Sequence, residues 1–169
     1  MANNSLNYLK QFYDRARGMG RKAISSDFTI EIEGFEHLYL LTKQCPWPES
    51  SSAGEIEVAT PLGATQWERQ QQKVAMQGPL AFYETTQHTI DKALVDIIAK
   101  SGEDGGWFNA KIYHGVPSKH IGGKRIIDCF FVADSPDTDW ENRSQVLMVS
   151  GTLFYHYFGE TIPANSNVI

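Results

Sequence analysis

The sequence predicts an α+β, mainly-β domain: an antiparallel β-sandwich or open barrel with one helix packed on its flank. Three observations carry this. Apolar and polar residues alternate with a period of two in several segments, the mark of strands that bury one face. One long stretch, His88 to Lys100, instead repeats its apolar residues at helical spacing. The chain has 169 residues, 41% of them hydrophobic and 12% aromatic, enough for one well-filled core and too few for two.

The elements follow in order. From Ser5 to Ala16, Leu6, Leu9, Phe12, Tyr13 and Ala16 recur every three or four residues, predicting an amphipathic helix that Asn4 or Ser5 can cap and that Gly18 and Gly20 end. Phe28, Ile30 and Ile32 alternate with Thr29, Glu31 and Glu33, predicting a strand; after Gly34, the run Leu38-Tyr39-Leu40-Leu41 reads as its antiparallel partner. Pro46 and Pro48, which cannot donate to a ladder, take the chain out of regular pairing around Trp47. GEIEVATPLGATQWERQQQ, residues 54 to 72, then has the rhythm of a hairpin turning at Pro61-Leu62-Gly63.

Lys73 to Thr85 predicts a further strand, interrupted by Gly78-Pro79 or confined by it to an edge. In the helix of His88 to Lys100, Ile90, Ala93, Leu94, Ile97 and Ile98 form the apolar stripe that covers the sheet, and Gly102 supplies the stop. Strands are expected through Trp107 to His114, Lys124 to Ala133 and Gln145 to Phe158, with a fraying tail after Gly159. The chain thus divides into an N-terminal helical arm, 1–22, a β domain, 23–160, and a flexible C-terminal tail, 161–169.

Charge is uneven. Residues 1–22 hold Lys10, Arg15, Arg17, Arg21 and Lys22 against Asp14 alone, although the whole chain has 20 acidic and 15 basic side chains. An acidic body argues against ordinary phosphate-backbone binding, and a basic arm can dock on an acidic body, its own or a neighbour's. The polar N-terminus lacks the pattern of a secretory signal, so cytoplasmic synthesis is expected. No run reaches the roughly 18 apolar residues of a membrane-spanning helix, so no membrane partner is expected. Cys45 and Cys129 are far apart and read as buried free thiols.

The sequence offers little for chemistry. His37, His88, His114, His120 and His156 have no H-E-x-x-H spacing, and His114 and His120 flank what reads as a solvated loop. In DSPDTDWEN, a calcium loop counted from Asp137 would put Asn142 at the obligatory glycine and Met148 at the bidentate Glu, so a solvated turn is expected. The glycines at 102, 105, 106, 122 and 123 read as turns: Lys124 is followed by Arg125, and Ser118 stands where a phosphate loop begins with Gly. A glycosidase pair drawn from Glu55, Glu57 and Glu68 beside Trp67 has no enclosed cleft to raise a pKa. No catalytic, cofactor-binding or metal-binding residue is predicted, and no enzyme.

Several stretches together resemble the tail tube proteins of contractile-tailed bacteriophages. They are the helical entry with Arg21-Lys22, the strand Phe28-Thr-Ile-Glu-Ile, the run Thr42-Lys43-Gln44-Cys45-Pro46-Trp47-Pro48, the hairpin Glu55 to Gln72, the helix His88 to Lys100, the closing strands Ile126 to Val132 and Val146 to Phe158, and the aromatic end Leu153-Phe-Tyr-His-Tyr-Phe. The likeness covers nearly the whole chain. It implies hexameric rings whose protruding inner hairpins join into one oligomeric β-barrel, stacked as a tube inside a contractile sheath. The implied partners are other copies of the chain, the sheath, a baseplate or initiator and a tail terminator. DNA would pass through without specific binding, no cofactor would be needed, and the location would be the tail of the virion.

On this resemblance the channel-lining residues are expected among Glu55, Glu57, Gln66, Glu68, Gln70 and Gln72, with the Gln66-Glu68 set favoured because Trp67 on the other face prefers burial. Acidic and neutral side chains would repel phosphate and leave no sticky sites. Leu9, Phe12, Tyr13 and Trp47 are the expected inter-subunit contacts, although the helical three can equally pack on their own domain. Two relatives of the same fold remain open: the haemolysin-coregulated tube of type VI secretion and a tube-initiating baseplate protein. From another class comes a monomeric carbohydrate-binding β-sandwich using Trp47, Trp67, Trp107 and Trp140 as platforms.

Overall fold

The computed structural model describes residues 6–100 and 105–165, so the caps expected of Asn4, Ser5 and Gly102 lie outside the described residues. The elements are α1 (Leu6–Gly18), β1 (Phe28–Ile32), β2 (Thr42–Gln44), β3 (Glu55–Ala59), β4 (Thr65–Arg69), β5 (Ala75–Tyr83), α2 (Thr89–Lys100), β6 (Phe108–Val116), β7 (Lys119–Ala133), β8 (Met148–His156) and β9 (Thr161–Ile162). Seven strands pair antiparallel: six in the order β1-β6-β7-β8-β5-β2, with β9 added on β7. β3 and β4 form a separate two-stranded sheet. The result is the mainly-β architecture expected, open rather than closed.

The layering depends on β7. Its first part pairs with β6 as far as Cys129, and from Ile127 onward it pairs with β8. Between these partnerships the register slips at a bulge around Asp128, whose φ is +47°. A bulge bends a strand and sharpens its twist, which is how one strand serves two sheets. The bulge is held from both sides: the Asp128 N–H donates to Asn109 Oδ1 at 3.1 Å, and His156 Nδ1 meets the Asp128 carbonyl at 3.1 Å.

Between the two layers Ile30, Ile112 and Ile126 from one side meet Leu80, Phe82 and Leu153 from the other, all buried. α2 closes the flank by burying Ile90, Ala93 and Ile97 in the same core, while Ile98, expected on that stripe, faces solvent.

Four expectations are corrected. Residues 36–41 are a 3-10 helix, not a strand, and β1 pairs with β6. Gly34, at φ +88°, turns the chain, and the N–H groups of Phe35 and Leu38 then donate to carbonyls three residues back. Leu38 is thereby buried (2% exposed) and Leu40 left in solvent (74%), a division that a strand would not make.

Gly78-Pro79 does not interrupt β5, which pairs with β8 over all its residues while β2 reaches only Ala81 and Phe82. Gly78 is required by close approach, since a Cβ there would lie 2.5 Å from Cβ of Pro46. Residues 161–165 do not fray. β9 pairs with Gly123 and Lys124, and Asn165 Oδ1 accepts the His120 N–H at 2.8 Å while its amide reaches the Ser118 carbonyl at 3.2 Å. His114 and His120, read as flanking a solvated loop, sit on a strand hairpin instead: His114 stacks on Phe28 at 4.5 Å and His120 is buried.

α2 is anchored by a buried carboxylate. Glu84 accepts from the N–H groups of Thr85 (2.8 Å), Ile90 (3.0 Å) and Asp91 (3.0 Å), satisfying donors that a helix start leaves bare. Burial pushes its pKa up, but the three N–H donors together outweigh it and hold the carboxyl below its ordinary value. Glu84→Ala should therefore cost about 2–3 kcal/mol in urea unfolding at neutral pH, since buried donors lose a charged partner. Because the folded pKa is depressed, this contribution is complete above about pH 5 and disappears as pH falls through the folded value. Glu84→Gln should flatten the acid limb of the stability profile.

Candidate functional site

The β3–β4 ribbon stands apart. Its register is continuous, from Glu55 opposite Arg69 to Ala59 opposite Thr65, and the pairing extends at the base through a bridge between Ser52 and Gln72. At the tip, Thr60 donates to the Ala64 carbonyl through both its N–H (2.8 Å) and its hydroxyl (2.6 Å). Every residue of both strands is exposed. Among the described residues β3 and β4 pair only with each other, so each presents an outer edge with no strand beside it.

The register decides which side chains share a face, because directly opposed residues of an antiparallel pair point the same way. Glu55, Glu57 and Ala59 lie with Arg69, Trp67 and Thr65; Ile56 and Val58 lie with Glu68 and Gln66. The expected lining set therefore does not form one surface. Glu55 and Glu57 are on one face, Gln66 and Glu68 on the other, and Gln70 and Gln72 follow the latter from opposite Gly54 and Ser52. Trp67, expected to seek burial, is 68% exposed, whereas Ile56 (47%) and Val58 (38%) are partly covered.

The ribbon is fastened at its base by Lys124. This side chain, 12% exposed, donates to the carbonyl of Pro48, lies 3.3 Å from the Glu49 carboxylate, and sits over the rings of Trp47 (4.7 Å) and Tyr157 (5.4 Å). Pro46 packs on Gly78 and Trp47 meets Phe28 edge to face at 5.0 Å. The segment Pro46–Glu49 is thus pinned to β7 before the chain leaves for β3. Trp47, expected between subunits, packs against its own core. Sequence reasoning missed the clamp: Gly122-Gly123-Lys124 reads as a turn, and only the pairing of β6 with β7 brings Lys124 beneath Trp47.

Two further surfaces are open. The outer face of β5, β8 and the end of β7 presents Gln77, Pro79, Ser150, Thr152 and Val132, beside stacked Phe130 and Phe154 at 4.8 Å; among the described residues no further strand pairs with the outer edges of β2 and the last part of β7. α1 buries none of its residues, so Leu9, Phe12 and Tyr13 are not packed on their own domain. Trp107 leans on Phe130 at 5.2 Å and Trp140 projects from the β7–β8 loop, so the four tryptophans form no common platform.

Burial pushes the Cys45 thiol up to about 11, and burial with the nearby Asp128 and Glu33 charges pushes Cys129 up to about 12, leaving both protonated at neutral pH. Among the described residues no three His, Cys, Asp or Glu side chains gather as a metal site.

No family model matches the chain, and no curated protein sequence matches it. Solved structures do. One is a chain of the sheath-tube complex of an extracellular contractile injection system, PVC, in its extended state: TM-score 0.58, 12% identity, covering 88% of this chain and 95% of that one. A chain of the tube-terminating cap of the anti-feeding prophage matches with TM-score 0.56 and 13% identity, over 86% and 93%. A chain of the anti-feeding prophage baseplate matches with TM-score 0.57 and 12% identity, over 88% and 100%. The fold is therefore one found in contractile injection machines, nearly end to end.

Lys124→Met keeps the stem and removes the charge. It should lower stability by about 1–3 kcal/mol, the value of a partly buried charge-assisted hydrogen bond with its cation–π support. Limited proteolysis should then cut sooner between residues 45 and 73 than elsewhere.

Proposed function

We propose that this chain is a non-enzymatic structural protein that assembles with copies of itself into the tube of a contractile tail. The observation that carries the reading is the exposed β3–β4 ribbon with two bare edges. Unpaired edges template association with other strands, and a closed ring removes them. The end-to-end likeness to chains of sheath-tube, cap and baseplate assemblies supports it.

In finer terms, the protein forms stacked hexameric rings of a phage tail tube through which DNA passes. Its partners are itself, the sheath, a baseplate or initiator complex and a terminator, and its place is the tail of the virion. The register supports one assignment of the ribbon faces. Ile56 and Val58, already partly covered and paired on one face, turn toward neighbouring protein and carry Gln66 and Glu68 with them. Glu55 and Glu57 then face the channel together with Arg69 and Trp67, and this reverses the preference for the Gln66-Glu68 set. The two carboxylates outnumber the one guanidinium on that face, so a ring of copies is net negative there and repels phosphate, as a conduit needs.

Electron microscopy and light scattering of the purified chain at high concentration should show sixfold rings or hollow tubes. Ile56→Lys with Val58→Lys, at exposed positions, should change protomer stability by less than about 0.5 kcal/mol and abolish those assemblies. Unaltered assembly by this variant would remove the ribbon as the joint. A chain that stays monomeric and binds a sugar would replace the reading altogether.

A further inference from the structure

α1 and the β7–β8 loop are both bare in the protomer, and they are opposite in character. α1 exposes Leu9, Phe12 and Tyr13, with Tyr8 and Phe12 in edge contact at 4.7 Å and the Arg15 guanidinium over Phe12 at 5.8 Å. Lys10 and Arg17 border the same stripe, and Asp14 is the helix's one acid. Residues 134–147 carry Asp134, Asp137, Asp139 and Glu141 against Arg143 alone, with Trp140 at 96% exposure. Under this loop runs a groove of about 430 Å³ of mixed character, with Pro136, Val146, Leu147 and Met148 in its walls alongside uncharged polar side chains and the acids Asp137 and Asp139.

From this complementarity we infer that the groove receives α1 of a second copy of the chain. An apolar stripe bordered by cations meets a groove in which Pro136, Val146, Leu147 and Met148 are flanked by the Asp137 and Asp139 carboxylates and by polar side chains. One contact thus pairs the apolar groups with each other and the cations with the acids. At about 1.5 Å per residue, the 13 residues of α1 span ~20 Å. The contact joins different patches on the two copies, so it repeats head to tail and extends an assembly. The inference rests on the self-assembly reading and names the segments that make one of its joints. Its polar part lies at the surface and weakens with salt.

The test mixes full-length Phe12→Cys with full-length Leu147→Cys under oxidation. A disulfide-linked dimer should form in the mixture and in neither variant alone, with lower yield at high salt. Arg15→Glu with Arg17→Glu in the first partner, or Asp137→Lys with Asp139→Lys in the second, should cut the yield by roughly fivefold or more. Combining the two charge-reversed partners should restore it. A cross-link found only within chains carrying both cysteines, at a yield independent of concentration, would overturn the inference by seating α1 on its own body. Rings in the microscope with no intermolecular cross-link would overturn the joint and leave the tube reading standing; neither rings nor cross-links would sink both.

Discussion

A single strand bonded on both sides to different partners organises this protein. β7 belongs to β6 at one end and to β8 at the other, and the bulge at Asp128 turns it from one sheet into the next. Without that bend the two sheets would be one flat surface with no interior. With it, Ile126 and Cys129 point into the space that Leu80, Phe82 and Leu153 fill. Lys124 lies on the same strand, so the element that creates the core also fixes where the ribbon leaves the body.

Much of the fold was legible in the sequence because the signals were periodic. Ile30 and Ile32, the stripe Ile90-Ala93-Ile97, and the alternation through Leu153 and Tyr155 bury as their spacing says. What was not legible depends on partners distant in the chain. Leu38-Tyr39-Leu40-Leu41 has the composition of a strand, but β1 is satisfied by β6, some 80 positions on, and the run turns into a 3-10 helix instead. Asn165 looked like part of a loose tail because nothing local shows that it hydrogen-bonds the turn before β7.

The site was legible in outline and misread in detail for the same reason. Alternation along each strand of the ribbon identifies two faces per strand, but only the register tells how faces on facing strands combine. Glu57 opposite Trp67 and Val58 opposite Gln66 set the combination, and shifting either strand by one residue would reverse it. The clamp at Lys124 was invisible because a lysine after two glycines suggests exposure, while its place beneath Trp47 and Tyr157 follows from tertiary pairing alone.

The self-contained pairing of the ribbon also bears on kinetics. A two-stranded hairpin with no third strand is of marginal stability in water, so in a single copy such a unit is expected to open and close separately from the core. On the self-assembly reading, a free copy must order this unit each time it joins a growing end, whereas an existing end presents a ready template. Starting a new assembly from free copies is then much slower than extending one, and length is governed by the supply of starting points rather than by the concentration of the chain.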